Sequence, residues 1–239
     1  MPTAAAEQQT AQASLAVALA QEVAAAWQAL LDVGELAKTL PDLSAVVAAL
    51  VQQYGSASAA VAAEYYTAAR ADAGVSGLYA VTPASPPDAG QVDAGVRWAT
   101  KDLWTPQPDP APALKLTQAA AQTLVLDTGR DTIVNAVLAD SKARGWARHT
   151  EPGCCAFCAM LATRGAVYRS RRTADFQAHP GDRCQPEPVF GIYEPPAQVR
   201  QWQALWRSST KGTSGAASIA AFRQAYEAPH GASNHPHGG

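Results

Sequence analysis

The residues best suited to chemistry are four cysteines at positions 154, 155, 158 and 184, together with His179 and Asp182. Cys155 and Cys158 stand three apart. If a helix starts at Pro152-Gly153, both thiols lie on one face of its first turn. The free amides there favour thiolate over thiol. His179 and Cys184 offer two further donors, completing a Cys3His set that suits tetrahedral zinc. Cys154 is an alternate for Cys155, and Asp182 an alternate for Cys184 or His179. Without a metal, the same thiols would simply pack as small apolar groups.

Other cysteine chemistries fit less well. A thioredoxin-like site needs its CxxC between a strand and a helix of a βαβ unit, and no run of Val and Ile precedes Cys155. The order His149-Thr150-Glu151-Pro152-Gly153-Cys154-Cys155-Ala156-Phe157-Cys158 imitates a hydrolytic deaminase. Such an enzyme keeps its HxE and PCxxC on two separate helix starts, whereas here the halves are collapsed together. A hydrolase pairing Cys154 with His149 has no oxyanion-hole signature around it. The GxxxxGK[ST], HExxH and GxSxG patterns are absent.

The elements around the cysteines read as helical. Alanine dominates the 48% of hydrophobic residues, and aromatics are 7%. Alanine with Gln and Glu favours helix but builds thin cores, because a methyl group buries little area. Residues 10–33 predict a helix, with Leu15, Leu19, Val23, Trp27, Leu30 and Leu31 at three- and four-residue steps. Pro41-Asp42 predicts a restart, and residues 42–72 a second helix of a hairpin, with Gly55 as a bend. A Gly/Pro/Ser loop and a short helix over 91–104 follow. The prolines between Thr105 and Pro112 predict a stiff connector. Residues 113–144 predict a long helix stopped by Gly145, and helices are expected over 196–208 and 215–227.

The expected class is therefore mainly α, with long Ala-rich helices and a small α+β module, helix plus short β-hairpin, near 146–193. The expected division is a helical region 1–104, a linker 105–112, a domain 113–193 with the Cys/His cluster, helices over 194–228, and a tail 229–239. That tail carries His230, His235 and His237 and reads as disordered.

The net charge of −2 hides an uneven distribution. Residues 1–130 carry six Lys and Arg against twelve Asp and Glu, while residues 142–172 carry seven Lys and Arg against Glu151 alone. Arg144, Arg148, Arg164, Arg169, Arg171 and Arg172 are accordingly candidates for contact with phosphates, or else an ordinary solvated face. No signal-type segment is evident at the N-terminus, and no apolar run approaches the roughly 20 residues that span a bilayer. The expectation is a cytoplasmic product with reduced thiols and no membrane partner.

The cysteine segment, with its flanks, resembles a known family. Cys155-Ala156-Phe157-Cys158 with Leu161, then Arg164-Gly165-Ala166-Val167-Tyr168, then His179, Cys184 and Pro188-Val189-Phe190, resembles the Mu protein F-like minor head proteins of tailed phages, in the forms found in actinobacteria. Arg130, Thr132, Ile133, Asp140 and Gly145-Trp146-Ala147-Arg148 fit the lead-in, so the resemblance covers roughly 115–192. Where the family pattern HxxCxC has its first cysteine, this chain has Asp182.

The resemblance implies a structural role: binding the portal or major capsid protein in few copies, and assisting head morphogenesis and DNA packaging or delivery. It implies residence in the virion after assembly in the host cytoplasm. The local positive charge, in turn, suggests non-specific contact with packaged double-stranded DNA. Because some relatives carry protease domains, a capsid maturation protease or other head-associated hydrolase is the alternative. No appended enzyme is expected.

Overall fold

A computed structural model describes residues 3–151, 153–168, 176, 178 and 182–228. The described chain is mainly helical, with seven α-helices and one two-stranded antiparallel sheet among those residues. It divides into two compact units, the first running to Ala136 and the second starting at Val137.

In the first unit, α1 (Ala4–Leu30) begins at Thr3, whose hydroxyl accepts from the Ala6 amide at 3.2 Å. This is the expected hairpin's first arm, but it starts six residues earlier than the apolar pattern suggests. Its buried stripe continues upstream through Gln12, Gln9, Gln8 and Ala5. At Gln12 the polar side chain is accommodated on the inner face because its partner Ser58 is buried too. Gln12 Nε2 donates to the Ser58 carbonyl at 2.9 Å, and the Ser58 hydroxyl donates to Gln12 Oε1 at 2.6 Å.

The second arm, α2 (Leu36–Asp72), runs through Pro41 instead of restarting there. The proline removes one helix hydrogen bond. Leu36 and Leu40, in the turn before the proline, are both buried, at 6% and 8% exposure, and this burial holds the first turn in place. After α3 (Ala89–Ala99), capped by Asp88 on the Gln91 amide at 2.8 Å, comes α4 (Pro110–Ala139). This helix begins inside the stretch read as a connector. Pro110 and Pro112 fall at its first and third positions, where amides have no acceptor within the helix and a missing one costs little. Leu19, Val23, Trp27, Leu43, Val47, Val51, Val96 and Val125 form the core of this unit. Gly129 is required there: a Cβ on it would stand 2.5 Å from Ser58 Oγ and 2.7 Å from Gln12 Nε2. Gly55 likewise permits close approach, since a Cβ on it would stand 3.0 Å from Pro86.

By length and composition alone, Ala4–Leu30 and Val33–Asp72 are long and apolar enough to cross a membrane, which corrects the expectation of no such run. Alanine supplies the hydropathy, and both helices contribute residues to the buried core.

In the second unit, α4 ends at Ala139, not at Gly145. Asp140 Oδ1 accepts from the Lys142 amide at 2.9 Å and its carbonyl from the Ala143 amide at 3.0 Å. Gly145, at φ 147°, opens β1 (Gly145–His149). This strand pairs with β2 (Gln185–Val189) in the register Gly145 with Val189 and Arg148 with Pro186. The pair is not a local hairpin, because α5 (Ala156–Ala162) lies between the strands in sequence. Pro186 and Pro188 suit an edge strand, where a missing donor is tolerated. Finally α6 (Ala197–Ser209) and α7 (Ala216–Glu227) share one core with α5. Val199, Trp202, Phe222 and Tyr226 pack on Ala159, Met160, Leu161 and Ala162.

Candidate metal centre

Three elements bring the donors together. The first is the start of α5. Cys155 is its N-cap residue, and its sulfur accepts from the Cys158 amide at 3.4 Å. That hydrogen bond turns both sulfurs toward the same side, one turn apart. The C-terminal helices fix the approach to this turn, since the Tyr226 hydroxyl donates to the Cys154 carbonyl at 2.6 Å. The second element is the segment leading into β2, which carries Asp182 and Cys184. The third is β1, which delivers Arg148.

Cys155, Cys158 and Asp182 place one donor atom each within 4.8 Å of one another. Asp182 Oδ2 lies 3.1 Å from Cys158 Sγ and 3.9 Å from Cys155 Sγ. Cys184 Sγ lies 3.1 Å from Cys158 Sγ. Tetrahedral zinc with Zn–S near 2.3 Å sets its donor atoms about 3.5–3.8 Å apart, so these separations bracket what such an ion requires. The donor set of soft sulfur with one carboxylate also suits a borderline-soft divalent ion. Cys155, Cys158 and Cys184 are buried, at 8%, 1% and 3% exposure.

The electrostatics of the cluster are those of crowded donors. Hydrogen bonds from Cys155 and Cys184, followed by burial, push the Cys158 thiol far above its ordinary range. Loading an ion displaces such protons, because a coordinating thiol is deprotonated outright.

Of the residues expected to bind metal, the structure groups Cys155 and Cys158 with the alternate Asp182; Cys184 touches Cys158 at 3.1 Å but stands outside that mutually close group. His179 lies outside the described residues. Cys154 is not in the cluster: its sulfur faces the Tyr226 hydroxyl at 3.9 Å. Burial pushes its thiol up to about 12. His149 points to Glu187 at 3.8 Å.

Arg148 departs most from expectation. Read as a phosphate contact, it is instead 2% exposed. Its Nη1 stands 2.8 Å from Cys184 Sγ and 3.8 Å from Cys158 Sγ, and its guanidinium carbon lies 3.9 Å over the Phe176 ring. The alternation of a strand was the signal available. Arg148 shares a face with Trp146 two residues before it, and Trp146 is fully buried, stacked on Tyr168 at 4.1 Å. Of the other arginines, Arg144 and Arg164 are exposed, while Arg169, Arg171 and Arg172 lie outside the described residues.

A family model described as VG15 protein matches residues 1–209, from the first helix to the end of α6. The chain belongs to the VG15 protein family. The family's designation is that of a viral gene product, consistent with a phage protein and with a head-associated role. No curated protein and no solved structure matches the chain. Within this VG15 family member, the metal-type cluster falls wholly inside the matched residues.

Proposed function

We propose that this VG15 family member is a minor head protein of the Mu protein F type. It is a structural component bound to the portal or major capsid protein, and it assists head assembly and DNA packaging or delivery. Family membership and the order of motifs around the cysteines support this reading. The observation that carries it is the burial of the donor cluster between segments far apart in sequence. Buried donors surrounding an ion suit a cross-link, whereas a reacting metal keeps a position open.

Zinc would be held by Cys155, Cys158, Asp182 and Cys184. It would tie the start of α5 to the segment entering β2, a loop closed between residues 26 apart. Closing that loop and satisfying the donors contributes folding free energy to a unit with a modest apolar core. The Ala-rich helices of the first unit dock on the head proteins. Arg144 and Arg164, with Arg169, Arg171 and Arg172 nearby in sequence, meet packaged double-stranded DNA without sequence preference. The protein acts inside the capsid after assembly in the host cytoplasm, without a membrane partner and without an activity of its own.

The test is mass spectrometry of purified particles, joined to co-expression with the portal and major capsid proteins of the same phage. A few copies per particle and co-sedimentation with the portal are expected. Absence from the particles, with no association with either protein, would overturn the proposal. For DNA, reversing Arg144 and Arg164 to Glu is expected to weaken non-specific, salt-sensitive binding; unchanged binding would remove that contact.

A further inference from the structure

Arg148 is a charged side chain in the least accessible part of the second unit, and a buried charge is costly unless it is paired. Its position is fixed on three sides. The β1–β2 register sets its backbone opposite Pro186, just beyond the cysteine at 184. Phe176 covers its guanidinium plane at 3.9 Å. Its Nη1 points at sulfur, 2.8 Å from Cys184 and 3.8 Å from Cys158. A guanidinium donates and never accepts, and it stays charged. A sulfur that binds a metal keeps lone pairs able to accept such a donor.

The charge count gives the arrangement a purpose. Three thiolates and one carboxylate around a divalent ion leave a surplus of two negative charges in a buried place. Arg148 cancels one of them. Groups just outside the donor shell that orient and neutralise ligands matter to metal affinity nearly as much as the ligands.

We infer that Arg148 sets the number of donors at this centre: Cys184 Sγ stands outside the close group of Cys155, Cys158 and Asp182 but against Cys158, and by holding it there and offsetting its charge Arg148 lets it join as a fourth ligand and close the site. Without Arg148 the centre falls back to Cys155, Cys158 and Asp182, three donors and an open position. This rests on the metal reading proposed above and adds to it a positioning residue that metal-ligand spacing alone does not reveal.

The test uses the full chain, stripped of metal and titrated with Co2+, whose sulfur-to-cobalt charge-transfer absorption reports how many thiolates bind. Zinc affinity is measured beside it by competition with a chelating dye. In wild type, three thiolates contribute. Arg148→Met is expected to lose the share of one thiolate and to hold zinc about 10–100-fold more weakly, with Arg148→Lys between the two. Wild-type intensity and affinity in Arg148→Met would overturn the inference while leaving the metal reading intact. A wild-type chain that takes up neither cobalt nor zinc would overturn both.

If Arg148→Met fails to fold, Arg148→Lys is combined with Cys184→Ala. An arginine acting through Cys184 predicts that the double variant binds zinc no more weakly than Cys184→Ala alone. Losses that multiply would contradict it.

Discussion

Arg148 donates to the sulfur of Cys184 across 2.8 Å, from one strand of the small sheet to the residue just before the other. The contact links two parts of the sequence that apolar periodicity treats as unrelated, and it places a cation against a group of donors that is otherwise negative or neutral. The first prediction concerns which cysteines matter. Cys158→Ser and Asp182→Asn are expected to lose bound metal, because both atoms lie in the tight group. Cys154→Ala is expected to keep it, because that sulfur faces Tyr226 instead. Elemental analysis of the three purified variants checks this ordering. Equal loss in Cys154→Ala would move the centre.

Tyr226 ties the last helix to the loop before α5 through its 2.6 Å bond to the Cys154 carbonyl. Tyr226→Phe keeps the ring packed on Trp202 and Phe222 and removes the hydroxyl, with its bond to the Cys154 carbonyl and its contact with the Cys154 sulfur. The expected loss is about 1 kcal/mol, read from urea unfolding. A neutral result would mean that packing alone seats α7.

Gly129 predicts a steric outcome in the first unit. Gly129→Ala places a methyl 2.5 Å from Ser58 Oγ, in a crossing with no slack. Overpacking of this kind costs about 1–3 kcal/mol. Adding Ser58→Ala is expected to recover part of the loss, since the nearest offending atom is then gone. Unchanged unfolding midpoints in the single variant would show that the helices separate freely.

Asp93 predicts a pH dependence. Its carboxyl is held below its ordinary value first by the Ser44 hydroxyl at 2.7 Å and then by Arg97 at 2.6 Å. A lowered folded value contributes stability that is present above the unfolded value, near 4, and is lost as pH falls through the folded value. Ser44→Ala is expected to cost about 1 kcal/mol at neutral pH. Its difference from wild type should shrink below pH 4, as measured by thermal unfolding across that range. A difference independent of pH would assign the contact to packing.

Much of this architecture could be read from the sequence, and the parts that could not share a cause. The helices over α2, α4 and α6 follow from spaced Leu, Val and Trp. The start of α1 did not, because its inner stripe is Gln8, Gln9 and Gln12, and an apolar pattern is blind to a buried face made of polar side chains. Pro41 and Pro110 misled in opposite ways: one is overridden by buried leucines, and the other sits where helices tolerate proline. At the centre, cysteine spacing pointed to Cys155, Cys158 and Cys184. Asp182 entered as an alternate for Cys184 or His179, and it stands where the resembled family has a cysteine. Arg148 was misplaced on the surface, since local charge says nothing about which face of a strand a residue occupies. Its two-residue spacing from Trp146 does.

The most direct test is the metal content of the purified full chain, measured with the melting curve of wild type and of Cys158→Ser. The account predicts one zinc per wild-type chain, lost in the variant together with the cooperative melt of the cysteine-bearing unit. A wild-type protein that is well folded and free of metal would contradict it.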